Sequence, residues 1–219
     1  GTQLDYGFVS GSTMFAGRQV IERGGSASEV IVFGGSEIVA SGGLISAAST
    51  GVLISGFAGF AGHIVNSGTI SAGSHGVLVD DGAVFSGGLA NPKSGKIIAG
   101  SGTAVAVQNI ATFLGGIGNT GTISAARDGI FIDGVAAFAN GISDSGTISA
   151  GSDGIAVVSS SVVSGGVNIA KAGKVLGGAS ANAIVLEGIA IFAGGMTNAG
   201  TISAFSGNGV VVSADAFFV

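Results

Sequence analysis

Two carboxylates are the residues best suited to chemistry in this chain. Asp128 and Asp153 each precede a glycine and lie one sequence repeat apart, about 25 to 27 residues. If successive repeats stack as neighbouring strands, their side chains lie roughly 5 Å apart, close to the separation of the carboxyl pair in retaining glycosidases. Asp128 and Asp153 are therefore the candidate metal ligands, for calcium, and the candidate catalytic pair of a polysaccharide hydrolase or lyase.

A structural interpretation of the same positions competes with these two. The aligned positions of other repeats carry further short polar residues, His75, Thr103, Asn182 and Asn208. Asp-Gly and Asn-Gly dipeptides are typical of turns, because Asn and Asp tolerate the left-handed conformation. We favour the structural role, and we predict no catalytic residue, no cofactor and no metal site. His63 has no partner at metal-ligand spacing and is interpreted as a solvated corner.

A hydroxyl column follows the same repeat. Thr69, Thr122, Thr147 and Thr201 each precede a serine by two residues, and Lys96 and Lys174 interrupt the column. A protruding cation argues against a flat ice-binding array. We interpret the column as a solvated face, open to O-glycosylation or to contacts with glycans.

The elements that position these residues are set by a repeated unit. The segment Asn-Ser-Gly-Thr-Ile-Ser-Ala at 66–72 returns in variant form at Asn119, Asp144 and Asn198. A period of about 25 to 27 residues is typical of solenoid proteins. Apolar residues then align in columns, and an i, i+2 spacing within them indicates strands.

Three columns carry most of the expected structure. The first contains Ile70, Ile123, Ile148 and Ile202; the second contains Phe85, Phe113, Phe138 and Phe192; and the third is an amide ladder of Asn66, Asn119 and Asn198, with Asp144 between the last two. Stacked amides add hydrogen bonds between coils. The ladder residue lies two positions before the glycine that recurs in each repeat. Lys93 and Lys171 occupy that position in the intervening coils, so we expect them to replace Asn there.

The chain divides by the length of its repeat. Residues 1–43 place glycines at alternating intervals of about ten and eight, which we interpret as coils of about 18 residues with two strands per turn. Residues 44–219 form longer coils with three strands each, continuous with the first part. Connections between parallel strands are almost always right-handed, which predicts right-handed winding of the coils. The predicted fold is an all-β, right-handed parallel β-helix, or β-solenoid.

Composition excludes several functional classes. The chain has 44 glycines, no cysteine and a formal net charge of −5. No disulfide or thiolate chemistry is available, and seven scattered Lys and Arg residues give no basic patch for nucleic acid. No apolar run approaches the roughly 20 residues of a membrane helix, so no membrane insertion by this segment is expected.

Two stretches resemble a known family. The stretch from Ala16 through Gly43 resembles the AIDA-type repeats of autotransporter adhesins, where Gly-Gly turns alternate with short strands that bear valine. The later Asn-x-Gly-Thr-Ile units resemble coils of autotransporter passenger domains, and related patterns occur in two-partner secreted haemagglutinins. The resemblance implies an extracellular protein on a Gram-negative cell surface, exported by the type V route.

Function is therefore expected to be adhesion, autoaggregation or biofilm formation by a stiff stalk. The expected partners are other copies of the chain, met laterally or end to end, and glycans or proteins of a host or bacterial surface. One alternative is a self-stacking subunit of an extracellular filament, because no capping segment is evident near Gly1 or in 215–219. The other is a polysaccharide-acting enzyme that uses Asp128 and Asp153.

Overall fold

The computed structural model describes residues 1–213 and 217–218, and in them it contains β-strands without any helix. No helix long and apolar enough to cross a bilayer occurs in this part of the chain. The strands wind through nine successive coils, which we number from the N-terminus.

The strands follow one another in a fixed order within each coil. Coil 1 contains β1 (Thr2–Asp5), β2 (Phe8–Val9) and β3 (Ser12–Met14); coil 2, β4 (Arg18–Ile21), β5 (Ser26–Ala27) and β6 (Val30–Val32); coil 3, β7 (Ser36–Val39), β8 (Leu44–Ala47) and β9 (Thr50–Phe60); coil 4, β10 (Ile64–Asn66), β11 (Thr69–Ala72) and β12 (His75–Phe85); coil 5, β13 (Leu89–Asn91), β14 (Lys96–Ala99) and β15 (Val105–Phe113). Four strands form each later coil. Coil 6 contains β16 (Ile117–Asn119), β17 (Thr122–Ala125), β18 (Ile130–Asp133) and β19 (Ala137–Phe138); coil 7, β20 (Ile142–Asp144), β21 (Thr147–Ala150), β22 (Ile155–Val158) and β23 (Val162–Val163); coil 8, β24 (Val167–Ile169), β25 (Lys174–Gly177), β26 (Ile184–Glu187) and β27 (Ile191–Phe192); coil 9, β28 (Met196–Asn198), β29 (Thr201–Ala204), β30 (Val210–Ser213) and β31 (Phe217–Phe218).

Three parallel sheets result from this winding. Sheet A contains the first strand of every coil, sheet B the second, and sheet C the remaining strands. Each strand pairs with its counterparts in the preceding and following coils, as in the parallel pairing of β11 with β8 and β14. The predicted all-β solenoid with three strand-bearing sides per coil is therefore confirmed; in coils 6 to 9 the third side is divided between two strands.

The short N-terminal coils also have three sides. Ser26 lies opposite Phe8 and Leu44, which gives a coil of about 18 residues. The prediction of two strands per turn in residues 1–43 is wrong, since each of these coils has three strands. The strands that were overlooked, β2 and β5, contain only two residues each. Such short strands leave no alternation in the sequence from which to recognise them. The three sheets continue without interruption from these coils into the longer ones.

The interior consists of apolar columns. Ile70 lies in register with Ile45 and Ile97, and the column continues through Ile123 and Ile148, all of them fully buried. The continuation through Val175 reaches Ile202, which is only partly buried. β-branched side chains suit this role because they pack well on a pleated surface.

Aromatic rings form a second column inside sheet C. Phe60, Phe85 and Phe113 stack with nearly parallel rings and centroids 4.8 and 4.7 Å apart. Phe138 follows at 5.4 Å with a tilted ring, Val163 replaces the aromatic in coil 7, and Phe192 is buried in coil 8. Stacked pairs of this kind are worth about 0.5 to 1.5 kcal/mol beyond their burial.

The shape of sheet C changes along the rod. Coils 3 to 5 cross it with single long strands of 11, 11 and 9 residues. Coils 6 to 8 divide the crossing into two strands at Gly134, Ser159 and Gly188. These residues have positive φ, but so do the equivalent residues inside the long strands, Gly56, Asp81 and Asn109. The corner that leads into sheet A changes as well, because Gly116 and Gly141 have positive φ whereas His63 and Gly88 do not. Two types of coil therefore meet between coils 5 and 6.

A carboxyl group is buried without a partner among the N-terminal coils. Glu37 is 0% exposed, and neither of its carboxyl oxygens has a hydrogen-bond partner. It lies in register between Gln19 and Ile64. Gln19 is itself committed elsewhere, since its amide donates to Asp5 at 2.7 Å and its oxygen accepts from Ser12 at 2.7 Å. Burial, and after it the charge of Asp5, raises the pKa of Glu37 to about 9.

The raised pKa predicts a stability that falls as pH rises. The folded state keeps Glu37 protonated up to about pH 9, whereas the unfolded chain loses the proton near the ordinary value of 4.5. We therefore expect the free energy of unfolding to fall by about 3 kcal/mol between about pH 5 and pH 7.5. Glu37→Gln should remove most of that loss in urea denaturation followed by circular dichroism.

Glu29→Gln is the matched control, because Glu29 is exposed on the same part of the rod. This control should keep the pH dependence of the parent chain. An equal loss of stability with pH in Glu37→Gln would show that the buried carboxyl is not its source.

Candidate functional site

The corner between sheets B and C brings the two candidate carboxylates together. Asp128 and Asp153 occupy equivalent positions in coils 6 and 7, just before β18 and β22. Asp128 is 8% exposed. His75 and Thr103 precede them in the column, and Asn182 and Asn208 follow, so the predicted alignment of this corner is what the structure shows.

Backbone groups occupy these carboxylates. Asp128 accepts the amide N–H of Asp153 at 3.2 Å, and its second oxygen lies 3.4 Å from the Thr103 hydroxyl, which donates to it. Asp153 in turn accepts the amide N–H of Asn182 at 2.7 Å, and Asn182 accepts that of Asn208 at 3.1 Å. Each side chain therefore joins its own coil to the next one.

The expected reason for the Asp-Gly dipeptides is wrong in one respect. None of Asp128, Gly129, Asp153 and Gly154 has positive φ. The glycine is required instead by close approach, since a Cβ on Gly129 would lie 2.4 Å from the Ile148 side chain. Left-handed non-glycine residues occur elsewhere, at Asp81, Asn109, Ser159 and Ser180.

Charges around this corner are sparse. No group of three or more His, Asp or Glu side chains placed to hold a metal ion occurs in residues 1–213. Burial lowers the pKa of His75, Arg127 lowers it further, and Asp80 opposes the shift. The Nδ1 atom of His75 lies 3.0 Å from the hydroxyl of Ser74.

A ladder of buried amides runs inside sheet A. Asn66 donates to Asn91 at 2.9 Å, Asn91 donates to Asn119 at 2.8 Å, and Asn119 donates to Asp144 at 2.7 Å. All four residues are at most 1% exposed. Every bond points from the Nδ2 atom of one coil to the Oδ1 atom of the next, so the ladder has one direction.

Two expectations for this ladder are corrected. Lys93 and Lys171 do not replace Asn; they are exposed in turns closed by Gly95 and Gly173. Asn91 holds the ladder position of coil 5 and was missed because two inserted residues separate it from the glycine used for alignment. Its spacing of two residues after Leu89 matches Ile64 and Asn66, and that match is visible in the sequence.

Asn198 does not belong to the continuous ladder. Ile169 takes the equivalent position in coil 8, and Asn198, opposite it in coil 9, is exposed and accepts the Gly200 amide at 3.0 Å. The ladder is therefore bounded by Val39 below Asn66 and by Ile169 above Asp144.

Asp144 ends the ladder on a charge-bearing group. Its Oδ1 atom accepts from Asn119 and from the Gly146 amide, whereas its buried Oδ2 atom has no partner. Burial raises the pKa of Asp144, and the hydrogen bonds from Asn119, Gly146 and Lys174 reduce that shift. The buried carboxylate of Asp144 therefore lowers the stability of the folded state, and an asparagine at this position would avoid that loss.

Exposed charges are separated by face. Sheet B carries the exposed cations Lys96 and Lys174, each flanked in register by threonines, with Lys93 and Lys171 in the adjoining turns. No strand of sheet B in the described residues contains a carboxylate. The outer face of sheet C carries Asp80, Asp133 and Glu187 in one column, with Gln108 and Val158 between them.

Neither set of charges is neutralised by an ion pair among residues 1–213. None of the four lysines forms an ion pair in the described residues, and none of the strands of sheet C contains Lys or Arg. Asp80 accepts a hydrogen bond from Asn109 at 2.9 Å, which is a neutral partner. The rod therefore presents a cationic face and an anionic face.

Comparison of the chain with family models, curated proteins and solved structures finds no match.

The ladder generates a prediction about stability. Asn119→Leu should lower the free energy of unfolding by about 2 to 3 kcal/mol, because it removes two buried hydrogen bonds, the one that Asn119 accepts from Asn91 and the one that it donates to Asp144. Asp144→Asn should raise stability at neutral pH, since the amide keeps the acceptor and removes the ionisable group whose pKa burial raises. Urea denaturation measures both changes.

Asn198→Ala is the control, because this residue lies outside the ladder and is exposed. Its effect should stay within about 0.5 kcal/mol. A similar loss in Asn119→Leu and Asn198→Ala would contradict a cooperative ladder.

Proposed function

We propose that this chain is the shaft of an extracellular bacterial adhesin, which joins cells to one another or to a surface through contacts between copies of itself. The observation that carries the proposal is the separation of unpaired charges onto two faces of a continuous solenoid. The resemblance of residues 16–43 to AIDA-type repeats supports the extracellular assignment and the type V route.

Stacked coils supply the mechanical part of this function. Each coil contacts only its neighbours, so stability sums over the interfaces between coils and the rod extends without a globular core. Its outer columns are short polar side chains such as Thr122 and Thr147, which present a regular surface.

Opposite charges supply the contact between copies. The cations Lys96 and Lys174 are three coils apart, roughly 14 Å, and the anions of sheet C are spaced by two coils, roughly 10 Å. Flexible lysine stems span the mismatch between these spacings. The cationic face of one rod therefore complements the anionic face of another.

This contact uses different faces on the two partners. A rod bound through sheet B still has sheet C free, so the interface is heterologous and does not close on itself. We expect open lateral arrays whose size grows with concentration, as required of a protein that makes cells aggregate. Side-by-side arrays and end-to-end filaments are distinguishable by electron microscopy.

The proposed function involves no catalysed reaction. Asp128 and Asp153, which would serve a polysaccharide-acting enzyme, are engaged with amide N–H groups of the neighbouring coils. Their arrangement supports a structural role at the corner.

Charge reversal tests the contact between copies. The parent chain should associate at about 20 mM NaCl and disperse at about 500 mM, where screening is strong. Lys96→Glu/Lys174→Glu and Asp133→Lys/Glu187→Lys should each remain monomeric alone. An equimolar mixture of the two should associate again, because each cationic face then meets an anionic one. Sedimentation velocity measures the average mass.

Arg18→Glu is the control, since it reverses a cation on a strand of sheet A, which belongs to neither face. This control should associate like the parent chain. Association of either charge-reversed variant alone, or a mixture that stays monomeric, would contradict the proposed interface.

A further inference from the structure

We propose that a trough at the corner between sheets C and A binds a neutral oligosaccharide. The trough has a volume of about 490 Å³, and the residues of its wall that matter here are His63, Ser86, Gly115, Gly118 and Asn140. A smaller cavity of about 230 Å³ adjoins it at Gly118 and continues along sheet A.

The trough exists because the two types of coil meet there. The corner residues His63 and Gly88 of coils 4 and 5 lack the positive φ of Gly116 and Gly141 in coils 6 and 7. The outward column of sheet A also loses its side chains at this point, running from Val65 through Ala90 to Gly118. A Cβ on Gly118 would meet no atom within 4 Å.

His63 supplies a hydrogen-bond donor at one end. Its Nδ1 atom accepts the amide N–H of Gly88 at 3.3 Å. A neutral imidazole that accepts at Nδ1 carries its proton on Nε2. The Nε2–H group has no partner in the described residues and is available to a ligand.

Asn140 and Ser86 supply acceptors. The Nδ2 group of Asn140 donates to the carbonyl oxygen of Leu114, which leaves the Oδ1 atom free. The Ser86 hydroxyl donates to the carbonyl oxygen of Phe60 at 3.2 Å, so its own oxygen remains able to accept. His63 and Asn140 lie three coils apart, roughly 14 Å along the rod.

These groups select the class of ligand. No Asp, Glu, Lys or Arg lines the trough, so a charged ligand would lose hydration without gaining an ionic partner. One donor and two acceptors in a shallow cleft suit sugar hydroxyls, each of which both donates and accepts. The length of the trough suits a chain of sugars better than a single ring.

The sugar site adds a ligand to the proposed adhesin shaft, and in that respect the sugar site rests on the proposed function. The two are physically separate, because the trough is uncharged and the contact between copies is electrostatic. Binding of a neutral sugar should therefore persist at about 500 mM NaCl, where the rods are dispersed.

Saturation-transfer NMR with maltotriose, cellotriose and chitotriose at about 500 mM NaCl tests the site. At least one should bind, with a dissociation constant of about 1 mM, and trigalacturonate should bind more weakly. Gly118→Val fills the trough and Asn140→Gly removes the acceptor; each should weaken binding about tenfold. Asn140→Gly should fold, because Gly115 and Gly165 occupy the equivalent position in adjacent coils.

Thr122→Val is the control, since it changes an exposed residue of the same coil on sheet B. It should leave binding unchanged. Absence of binding by all three neutral sugars, or binding that survives both trough variants, would overturn this site and leave the contact between copies intact. Loss of self-association with normal sugar binding would contradict the proposed function alone.

Discussion

Hydrogen bonds between successive coils, at one fixed spacing, are the constraint on which this structure depends. They hold every residue directly above its counterpart in the preceding coil, roughly 4.8 Å away. A column of like charges would repel itself at that distance. The lysines of sheet B are accordingly diluted by threonines such as Thr122, and the acids of sheet C by Gln108 and Val158. The separation of charge by face thus follows from the stacking.

The inward columns could be predicted because residues that lie one repeat apart in the sequence become neighbours when the coils stack. Ile70 and Ile97 share a register that counting from a glycine recovers. The same counting failed at Asn91, where two inserted residues lie between the ladder residue and the glycine, and at β2 and β5, which are too short to show alternation. The failure at Asn91 arises because the chain length between columns varies, and the periodic pattern carries no information about how a turn absorbs extra residues.

Features that depend on backbone conformation were beyond prediction. Glycine permits both signs of φ, so the change from Gly88 to Gly116 that opens the trough is invisible in residue type. Glu37 offered a better indication, because it alternates with Val39 on one strand and so points inward. What alternation could not show is that its neighbour Gln19 is already engaged with Asp5 and Ser12, which leaves the carboxyl without a partner.

The placement of the amide ladder has a mechanical consequence. Coils that touch only their neighbours yield to a pulling force one at a time, in the order of their resistance. The ladder joins coils 4 to 7, whereas coils 1 to 3 lack it and carry the unpaired Glu37. If the chain acts as the proposed shaft, a pulling force should therefore unfold the coils outside the ladder, among them the N-terminal coils that contain Glu37, before coils 4 to 7. The rod would then lengthen and dissipate energy while its centre stays folded.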